Sequence, residues 1–414
     1  MSDGFRARQL AQLGLAANAL RPLPGAPASV PAFFSGWLTG ELAPHLLGIT
    51  ALDAGVHFAR RGVRSRRDVA DLLTVGANIA AYSALIGGGL RASREIEGAL
   101  VETLGTGYRD VIARDPLPDD VSAPWRTLAV PFRMRDVNVT RVRRLSYAPG
   151  GRRFELDVWH HRDQPAGSPV LLQVHGGGWV IGNKDQQGIP LMLHMAARGW
   201  VCVAVNYPLS PRARWPEHLV ALKQAVRWIR ERADVYGADP SFVAVTGGSA
   251  GGHLAAMVAL TADDKSLQPG FEEVDTSVQA CVPHYGVYDF TRESGAKYTR
   301  QRLNSLLRPY VMGPSAIYPD DYRAASPLFR ITPDAPPFLV LHGRNDTLVP
   351  VAEARTFVAR LRDTVKNPVA YAELGGAQHA FDIFLSLRST GVLRGVARFL
   401  EWCHATRESR AFAS

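Results

Sequence analysis

The spacing of apolar residues divides the chain near residue 136. From there onwards, short apolar runs alternate with segments in which apolar residues recur every three or four positions. The runs predict buried strands and the segments predict helices. Strands are predicted at 137–147, 153–159, 170–175, 201–206, 242–246, 279–283, 338–342 and 369–373, and helices at 191–198, 216–229, 254–260, 351–361 and 386–403.

Strands that alternate with helices are typical of the α/β class, with a mostly parallel, doubly wound sheet that helices cover on both faces. The turn Pro149-Gly150-Gly151 between the first two strands predicts an antiparallel hairpin at the start of this sheet. Residues 290–330 have no strand pattern and are predicted to form a helical or loop insertion. The pattern therefore predicts one α/β domain over residues 136–408.

Residues 1–112 have a different pattern, in which apolar residues dominate with helical spacing. The stretch 33–58 carries Glu41 and Asp53, and a charge at the centre of a bilayer costs about 3 kcal/mol, so a simple membrane span is not predicted there. The stretch 72–90 has no charged residue in 19 positions, close to the roughly 20 residues that cross a bilayer. Five arginines lie between the two stretches, within 60–67.

Two interpretations of this helical N-terminal region are open. An arginine cluster between apolar stretches is typical of contact with lipid headgroups, and it predicts a membrane-associated protein that meets a membrane surface through residues 28–92. The alternative is a soluble helical cap on a cytoplasmic protein, with the arginines in a solvated turn. A hairpin that spans the bilayer would place the rest of the chain on the side opposite the arginines.

Two bordering segments add little to this organisation. In residues 1–27 the polar residues Gln9, Gln12 and Asn18 interrupt a modest apolar stretch, so a cleaved signal peptide is not expected. Residues 113–135 include four prolines and predict a linker to the α/β domain.

Composition excludes a few function classes. The net charge is +9, from 47 basic and 38 acidic residues, but only five of the basic residues are lysines. An excess of arginine over lysine together with abundant alanine is attributed to the base composition of the genome. The positive charge therefore does not predict nucleic acid as a partner. The three cysteines, Cys202, Cys281 and Cys403, are far apart and offer neither a disulfide framework nor zinc-ligand spacing, so no metal is predicted. The oligomeric state is not indicated.

The candidate chemistry is centred on Ser249. It lies in a G-x-S-x-G sequence that runs from Gly247 to Gly251, between a predicted strand and a predicted helix. On so sharp a turn the serine backbone is strained and its Oγ projects out of the fold, where the helix N-terminus favours developing negative charge. Glycines two positions before and after the serine let the strand and the helix approach. Alone, the motif is equally typical of a glycine-rich turn with an ordinary serine.

A second motif, His175-Gly176-Gly177-Gly178-Trp179, ends the predicted strand 170–175. Its glycines expose consecutive backbone N–H groups, and no side chain blocks a tetrahedral oxygen. Together with the N–H of Ala250 they predict an oxyanion hole, in which one donor is typically worth about 3–4 kcal/mol. A phosphate-binding loop would require GxxxxGK[ST] or GxGxxG before a helix, and neither is present.

Asp346 and His379 complete a candidate catalytic triad. Each follows a predicted strand, and the chain order Ser249, Asp346, His379 is that of an α/β-hydrolase. Because the carboxyl ends of parallel strands meet at one edge of a sheet, we expect the three side chains to lie together. Asp382 and Glu373 are the competing candidates for the acid.

His253 directly follows the glycines after Ser249 and is a competing histidine. It is predicted to pack behind the nucleophile, because its side chain would point down the helix. Trp179 and the insertion 290–330 are predicted to shape an acyl pocket, although an aromatic residue beside a glycine loop is about as often a packing residue.

From about residue 137 to 405 the chain resembles the hormone-sensitive-lipase-like esterases of the α/β-hydrolase group. The glycine triplet, G-x-S-A-G-G and the late aspartate and histidine all match in order. The stretches 179–184, 206–211 and 376–384 are similar to those of actinobacterial, mycobacterial-type lipases and esterases with an extra apolar N-terminal region. The resemblance implies hydrolysis of carboxylic esters without a cofactor, with oxyanion donors at Gly177, Gly178 and Ala250.

Two positions depart from that group. Gly248 precedes the serine where the group usually has an acidic residue that is not a triad member, so this departure concerns the local hydrogen bonding and not the triad. The sequence Tyr207-Pro208-Leu209 lacks the arginine that usually follows the tyrosine.

The predicted function is that of a serine esterase or lipase whose substrate is a small-molecule or lipid ester. His379 would take the proton of Ser249, and Asp346 would orient the imidazole. An amidase or aryl-formamidase would use the same triad, and its related glycine motif also ends in tryptophan. A catalytically silent receptor typically lacks the serine or the histidine, and this chain has both. In a fourth reading the N-terminal membrane module is primary and the enzyme secondary.

Overall fold

The computed structural model describes residues 2–23, 25, 27–112, 128–163, 166–297 and 299–407. Residues 113–127 of the predicted linker lie outside the described residues, as does residue 408 at the predicted end of the second domain. The described residues form an α/β fold with a helical N-terminal region.

The N-terminal region is helical, as its pattern predicts. Its helices are α1 (Ser2–Leu20), α2 (Ser29–Glu41), α3 (Ala43–Arg61) and α4 (Arg66–Leu104). Helix α4 begins in a capping box, in which the Ser65 hydroxyl accepts the N–H of Asp68 and the Asp68 carboxylate accepts that of Ser65. It continues well past the charge-free stretch 72–90, because the apolar residues beyond it keep helical spacing and pack on the sheet domain.

Within the described ranges, α4 is the one helix long and apolar enough to cross a membrane. In its most apolar 18-residue window, 28% is buried. Length and composition permit a span without establishing one, because core helices of soluble proteins meet the same criteria.

All the predicted strands are present. They are β1 (Val139–Ser146), β2 (Glu155–His161), β3 (Ser168–Val174), β4 (Val201–Val205), β5 (Ala238–Gly248), β6 (Ala280–His284), β7 (Phe338–Gly343) and β8 (Val369–Leu374). They form one sheet in the order β1-β2-β4-β3-β5-β6-β7-β8. β2 pairs antiparallel with β1 and β4, and the other neighbours pair parallel. The predicted fold class, with its antiparallel hairpin at the start, is therefore confirmed.

Helices cover both faces of this sheet. They are α5 (Ile189–Ala197), α6 (Glu217–Arg232), α7 (Ala250–Leu260), α8 (Thr299–Arg302), α9 (Asp320–Ala324), α10 (Val351–Thr364) and α11 (Leu387–Ala405). The segment predicted as an insertion, 290–330, contains α8, a π-helix at Leu303–Met312 and α9. No residue in its described part belongs to the sheet, as predicted.

Side chains alternate between two apolar clusters, one on each face of the sheet. On one face Leu172 of β3 lies in a cluster with Leu254 of α7. On the other face Leu171 lies in a cluster with Val396 of α11 and Ile96 of α4. The N-terminal region thus contributes side chains to the core of the sheet domain.

Buried polar contacts attach α2 and α4 to the segment that follows β8. The Glu41 carboxylate accepts hydrogen bonds from Arg388 Nε at 2.8 Å and Ser386 Oγ at 2.6 Å. Arg388 is fully buried and also donates to Gly375 O at 3.0 Å. The Glu95 carboxylate of α4 accepts the Gly375 N–H at 3.0 Å. The loop after β8 is therefore held by helices that precede the sheet in sequence.

Candidate active site

Ser249 occupies the sharp turn between β5 and α7. Its backbone has φ 60° and ψ −121°, the strained conformation that the G-x-S-x-G sequence predicts. Its N–H donates to His284 O at 3.0 Å, which joins the turn to β6. A Cβ at Gly251 would lie 2.2 Å from Val174 O, so a larger residue there would push the helix away from the sheet.

Asp346 and His379 form a buried pair at the ends of β7 and β8. His379 Nδ1 donates to Asp346 Oδ2 at 2.6 Å. The other carboxylate oxygen of Asp346 accepts the N–H groups of Leu348 and Val349 at 2.9 and 2.8 Å. These bonds orient the carboxylate and leave Nε2 as the His379 nitrogen that can serve Ser249.

The carboxylate of this pair is ionised. Burial raises the pKa of the Asp346 carboxyl, but the charge of His379 and the hydrogen bonds from His342 and His379 outweigh burial and hold this pKa well below its usual range. An ionised carboxylate can fix one tautomer of the imidazole and stabilise its protonated form.

The two competing acids have other partners. Asp382 pairs with His284 Nδ1 at 2.6 Å and accepts a hydrogen bond from the Tyr285 hydroxyl. Glu373 pairs with Arg344 at 2.8 Å and Arg355 at 2.7 Å. Of the three candidates, Asp346 is the acid that contacts His379.

The glycine motif lies opposite Ser249. The N–H of Gly176 donates to Gln187 Oε1 at 2.7 Å, and a Cβ on Gly176 would lie 3.1 Å from Ser249 Cβ. Gly177 and Gly178 have φ values of 117° and 59°, which a residue with a side chain rarely adopts. Among the described residues no acceptor is found for the N–H of either glycine. Ala250, the first residue of α7, leaves its N–H outside the helical bonds.

A pocket of about 600 Å³ joins these groups. Ser249, His379, Gly177 and Gly178 all line it. Most of the remaining wall is apolar and comes from several elements, with Phe33, Phe34 and Trp37 from α2, Leu306 from the π-helix, and Val287 and Ile383 from loops. The pocket suits a substrate with an apolar group beside the reacting carbonyl.

The wall contributed by α2 was not predicted from the sequence. Trp37 lies four positions after Phe33 and three after Phe34, so the three share a helix face, which was the available signal. Nothing in the sequence indicates that this face meets a loop more than 300 residues away. The insertion does contribute, through Leu306, as predicted.

Trp179 and His253 form a buried pair behind the glycine motif. Trp179 Nε1 donates to His253 Nδ1 at 3.2 Å. The hydrogen of the His253 ring is therefore on Nε2, which donates to Ala325 O at 2.8 Å. Burial lowers the pKa of His253 to about 3 and keeps the ring neutral. Both ring nitrogens are occupied, which agrees with the prediction that His253 packs behind the serine. Trp179 lines the pocket although it is almost fully buried.

Tyr285 explains why glycine suffices before the serine. A Cβ at Gly248 would lie 2.6 Å from Tyr285 Oη and 2.8 Å from its Cε2. The tyrosine ring therefore takes the space of an acidic side chain at this position. Its hydroxyl is bonded to Asp382, which brings a carboxylate to the same region from another part of the chain.

In the part of the chain that the structure describes, no group of three or more His, Cys, Asp or Glu side chains is arranged to hold a metal ion. The three cysteines are buried, and no two of them form a disulfide.

Known proteins are similar both to the sheet domain and to nearly the whole chain. The family model described as BD-FAE matches residues 156–361. The probable carboxylic ester hydrolase LipM of Mycobacterium tuberculosis is 42% identical over 412 residues, which cover 95% of this chain and 91% of the relative. Esterase LipQ of the same organism is 42% identical over 75% of this chain and 74% of the relative.

Solved structures share the fold. The propionate-bound thermophilic esterase Est2 of Thermogutta terrifontis superposes with a TM-score of 0.51 at 24% identity, covering 64% of this chain and 92% of that chain. At this level of identity the likeness speaks for the fold alone.

Proposed function

Because this chain belongs to the hormone-sensitive-lipase-like group of α/β-hydrolase esterases and is a carboxylic ester hydrolase, we propose that Ser249, His379 and Asp346 are its catalytic triad. The observation that carries this assignment is the 2.6 Å bond between His379 Nδ1 and Asp346 Oδ2, because His379 and Ser249 line the same pocket.

In the first half of the reaction Ser249 Oγ attacks the ester carbonyl. His379 Nε2 accepts the proton of the hydroxyl, and the ionised Asp346 stabilises the imidazolium that forms. The tetrahedral intermediate then collapses, the bond to the alcohol breaks, and His379 returns the proton to the leaving oxygen. The acyl group remains on Ser249 as an ester.

In the second half water replaces the alcohol. His379 takes a proton from the water, whose oxygen attacks the acyl-enzyme, and the acid leaves as Oγ regains its proton. Both tetrahedral intermediates carry negative charge on the former carbonyl oxygen. The N–H groups of Gly177, Gly178 and Ala250 are the donors proposed for this oxygen. Among the described residues the N–H groups of Gly177 and Gly178 have no acceptor, so they are available to a substrate.

The test is hydrolysis of p-nitrophenyl esters of increasing acyl length, with wild type beside Ser249→Ala and an aryl-formamide included. We expect wild type to cleave esters and Ser249→Ala to lose the activity by a factor of about 10⁶. Equal activity of the two proteins would overturn the assignment of Ser249 as the nucleophile. Cleavage of the formamide with no ester cleaved would favour the amidase alternative.

We also propose that the protein is membrane-associated through its N-terminal region. The length and apolar character of α4 and the arginines of the α3–α4 turn support this localisation. Sedimentation of cell membranes, followed by detection of the chain in the pellet or the supernatant, tests it against the cytoplasmic alternative.

A further inference from the structure

Helices α1, α3 and the N-terminal half of α4 each expose large apolar side chains to solvent. Residues that show this are exposed by 41–70% and come from all three helices: Leu10, Leu15, Leu52, Val56, Leu72 and Leu73. A helix of a water-soluble protein normally turns such a face inwards. Single exposed apolar residues are ordinary, but large exposed apolar side chains on three neighbouring helices point to an interaction site.

The same helices turn their polar side chains towards one another. Asn78 of α4 is fully buried and donates to Gln9 Oε1 and Gln9 O of α1, both at 2.9 Å. Gln9 Nε2 donates in turn to Asp53 of α3 at 3.0 Å, and the buried Thr50 hydroxyl is bonded to Gln12. These polar side chains lie inside the bundle beside two buried apolar clusters, which include Tyr82 with Leu85 and Phe5 with Val75. Polar contacts in the interior and apolar side chains on the outside suit hydrocarbon, which does not solvate polar groups.

Charged residues flank the charge-free stretch of α4 on both sides. The charge-free stretch 72–90 is about 28 Å long at 1.5 Å per residue, close to the roughly 30 Å of a bilayer's hydrocarbon core. Exposed arginines at 60, 61, 64, 66 and 67 precede this stretch, and exposed Arg91 and Arg94 follow it. Near the first end Arg6 pairs with Asp71 at 2.6 Å and Arg8 with Asp53 at 2.7 Å. We refer to this end as the arginine tip.

The opposite end of the bundle lies against the active-site loops. Asn345 Nδ2 donates to the last carbonyls of α1, Ala19 O and Leu20 O, at 3.1 and 3.2 Å. Thr347 Oγ1 donates to Ser29 O at the start of α2 at 2.8 Å. Helix α2 connects α1 to α3 at this end and lines the pocket. The pocket therefore opens where the bundle meets the sheet domain.

The mouth of that pocket is itself apolar. Phe34 of α2 and Ile181 of the glycine-motif loop both line the pocket, and they are 53% and 68% exposed. Exposed apolar side chains at a pocket mouth lose contact with water when the mouth meets lipid. The mouth therefore adds exposed apolar side chains at the end of the bundle that meets the sheet domain.

We propose that α1, α3 and the N-terminal half of α4 are embedded in a lipid bilayer, with the arginine tip at one surface and the mouth of the active-site pocket at the other. The enzyme then takes its ester substrate, an amphiphile with a long acyl chain, from the adjoining lipid layer. The positive-inside rule places the arginine tip in the cytoplasm and the catalytic domain on the other side. This inference rests on the proposed esterase function and membrane association.

Membrane partitioning tests the embedding. Leu52 and Leu73 are each 70% exposed on the bundle, and Val235 is 68% exposed on the sheet domain, which makes Val235→Glu the matched control. In full-length chains we expect wild type and Val235→Glu to stay with membranes after alkaline carbonate washing. The double variant Leu52→Glu/Leu73→Glu should be released by a factor of about 100, because a charge in the hydrocarbon core is strongly disfavoured. Release of wild type, or equal retention of all three, would overturn the proposal.

Cysteine labelling tests the crossing without destabilising charges. The three native cysteines are buried, so they give little background. Val63→Cys at the arginine tip and Val235→Cys on the sheet domain are treated with a membrane-impermeant maleimide in sealed vesicles of each orientation. We expect the two sites to label in opposite orientations. Labelling from the same side would overturn the crossing. If the protein instead washes off membranes as an oligomer and both sites are labelled, a second copy covers the apolar side chains and the proposal is overturned.

Kinetics separate this proposal from the proposed function. We compare p-nitrophenyl butyrate in solution with p-nitrophenyl palmitate in anionic vesicles. The double variant should keep the butyrate rate and lose about tenfold or more on the palmitate, because it no longer reaches the lipid layer. Equal losses on both substrates would contradict the lipid-layer supply. If wild type cleaves neither ester, the proposed function fails, while the washing and labelling results still decide the embedding.

Discussion

The ring of Phe33 packs edge-on against the imidazole of His379, with ring centroids 5.8 Å apart and an interplanar angle of 81°. Phe33 belongs to α2, and His379 lies in the loop after β8. A residue near the start of the chain therefore contacts the proposed catalytic base. The N-terminal region consequently has a direct part in the site as well as the membrane role proposed for it.

Phe33→Leu should lower kcat more than it raises KM. Leucine keeps the site apolar but removes the aromatic edge that positions the imidazole, a contact worth about 1 kcal/mol, which corresponds to several-fold in kcat. Steady-state hydrolysis of p-nitrophenyl butyrate measures both constants. Phe5→Leu is the control, since Phe5 stacks on His57 at 3.8 Å inside the bundle. Equal losses of kcat in the two variants would point to a general effect on folding.

Asp346→Asn should reduce kcat by a factor of about 10⁴, because an amide stabilises the wrong tautomer of His379 and cannot balance the imidazolium. Asp382→Asn is the matched control, because Asp382 bonds His284 and Tyr285 and not His379. We expect it to lose no more than about tenfold, through a less rigid serine turn. If the two variants lost activity in the reverse order, the acid would be Asp382.

Glu41→Gln should destabilise the fold by about 3–5 kcal/mol, because it leaves the fully buried Arg388 without its counter-charge. Urea unfolding measures this free energy. Glu231→Gln is the control, since Glu231 pairs with Arg227 on the exposed face of α6 and should cost no more than about 1 kcal/mol. A loss as small for Glu41 as for Glu231 would mean that α2 is not anchored through this pair.

Acid should destabilise the fold below pH 6.5. Burial lowers the pKa from 6.5 to about 4 for His175 and His218, and to about 3 for His253. The unfolded chain binds these protons at a higher pH than the folded chain does. Their contribution to stability is therefore complete above 6.5 and is lost as the pH falls through 4 and 3, with a slope of roughly 1 kcal/mol per pH unit for each ring.

Urea unfolding over a pH series from neutral to about pH 4.5 checks this slope, which should fall when His218 is replaced by Gln. His218 Nε2 lies 3.0 Å from Ser210 Oγ, a contact that glutamine can keep. A free energy of unfolding that does not change from neutral pH down to this limit would contradict the buried neutral state of these rings.

The sequence by itself determined the fold class, the order of strands and helices, and the ester-hydrolase family. These follow from local properties, namely the period of apolar residues and the glycines that only a few turns require. It also supplied Ser249, Asp346 and His379 as candidates, and their catalytic roles stay predictions. The strained φ of Ser249 was available from the sequence because a strand, a turn and a helix lie within a few residues of it.

Only the tertiary structure decided which acid meets His379 and which residues enclose the pocket. Asp346 and Asp382 both follow strands at the same sheet edge, and the loop conformations alone direct one to His379 and the other to His284. Contacts such as Phe33 with His379 join residues far apart in the chain, and no local pattern encodes them.

Tertiary packing also determined which faces of the N-terminal helices are exposed. In the sequence, Glu41 and Asp53 argued against a membrane span, because composition does not tell which face a charged residue takes. In the structure Glu41 turns towards Arg388 and Asp53 towards Gln9 and Arg8. Large apolar residues of α1, α3 and α4 such as Leu52 and Leu73 are left outside, because helix packing, and not the count of charges, determines what a surface presents.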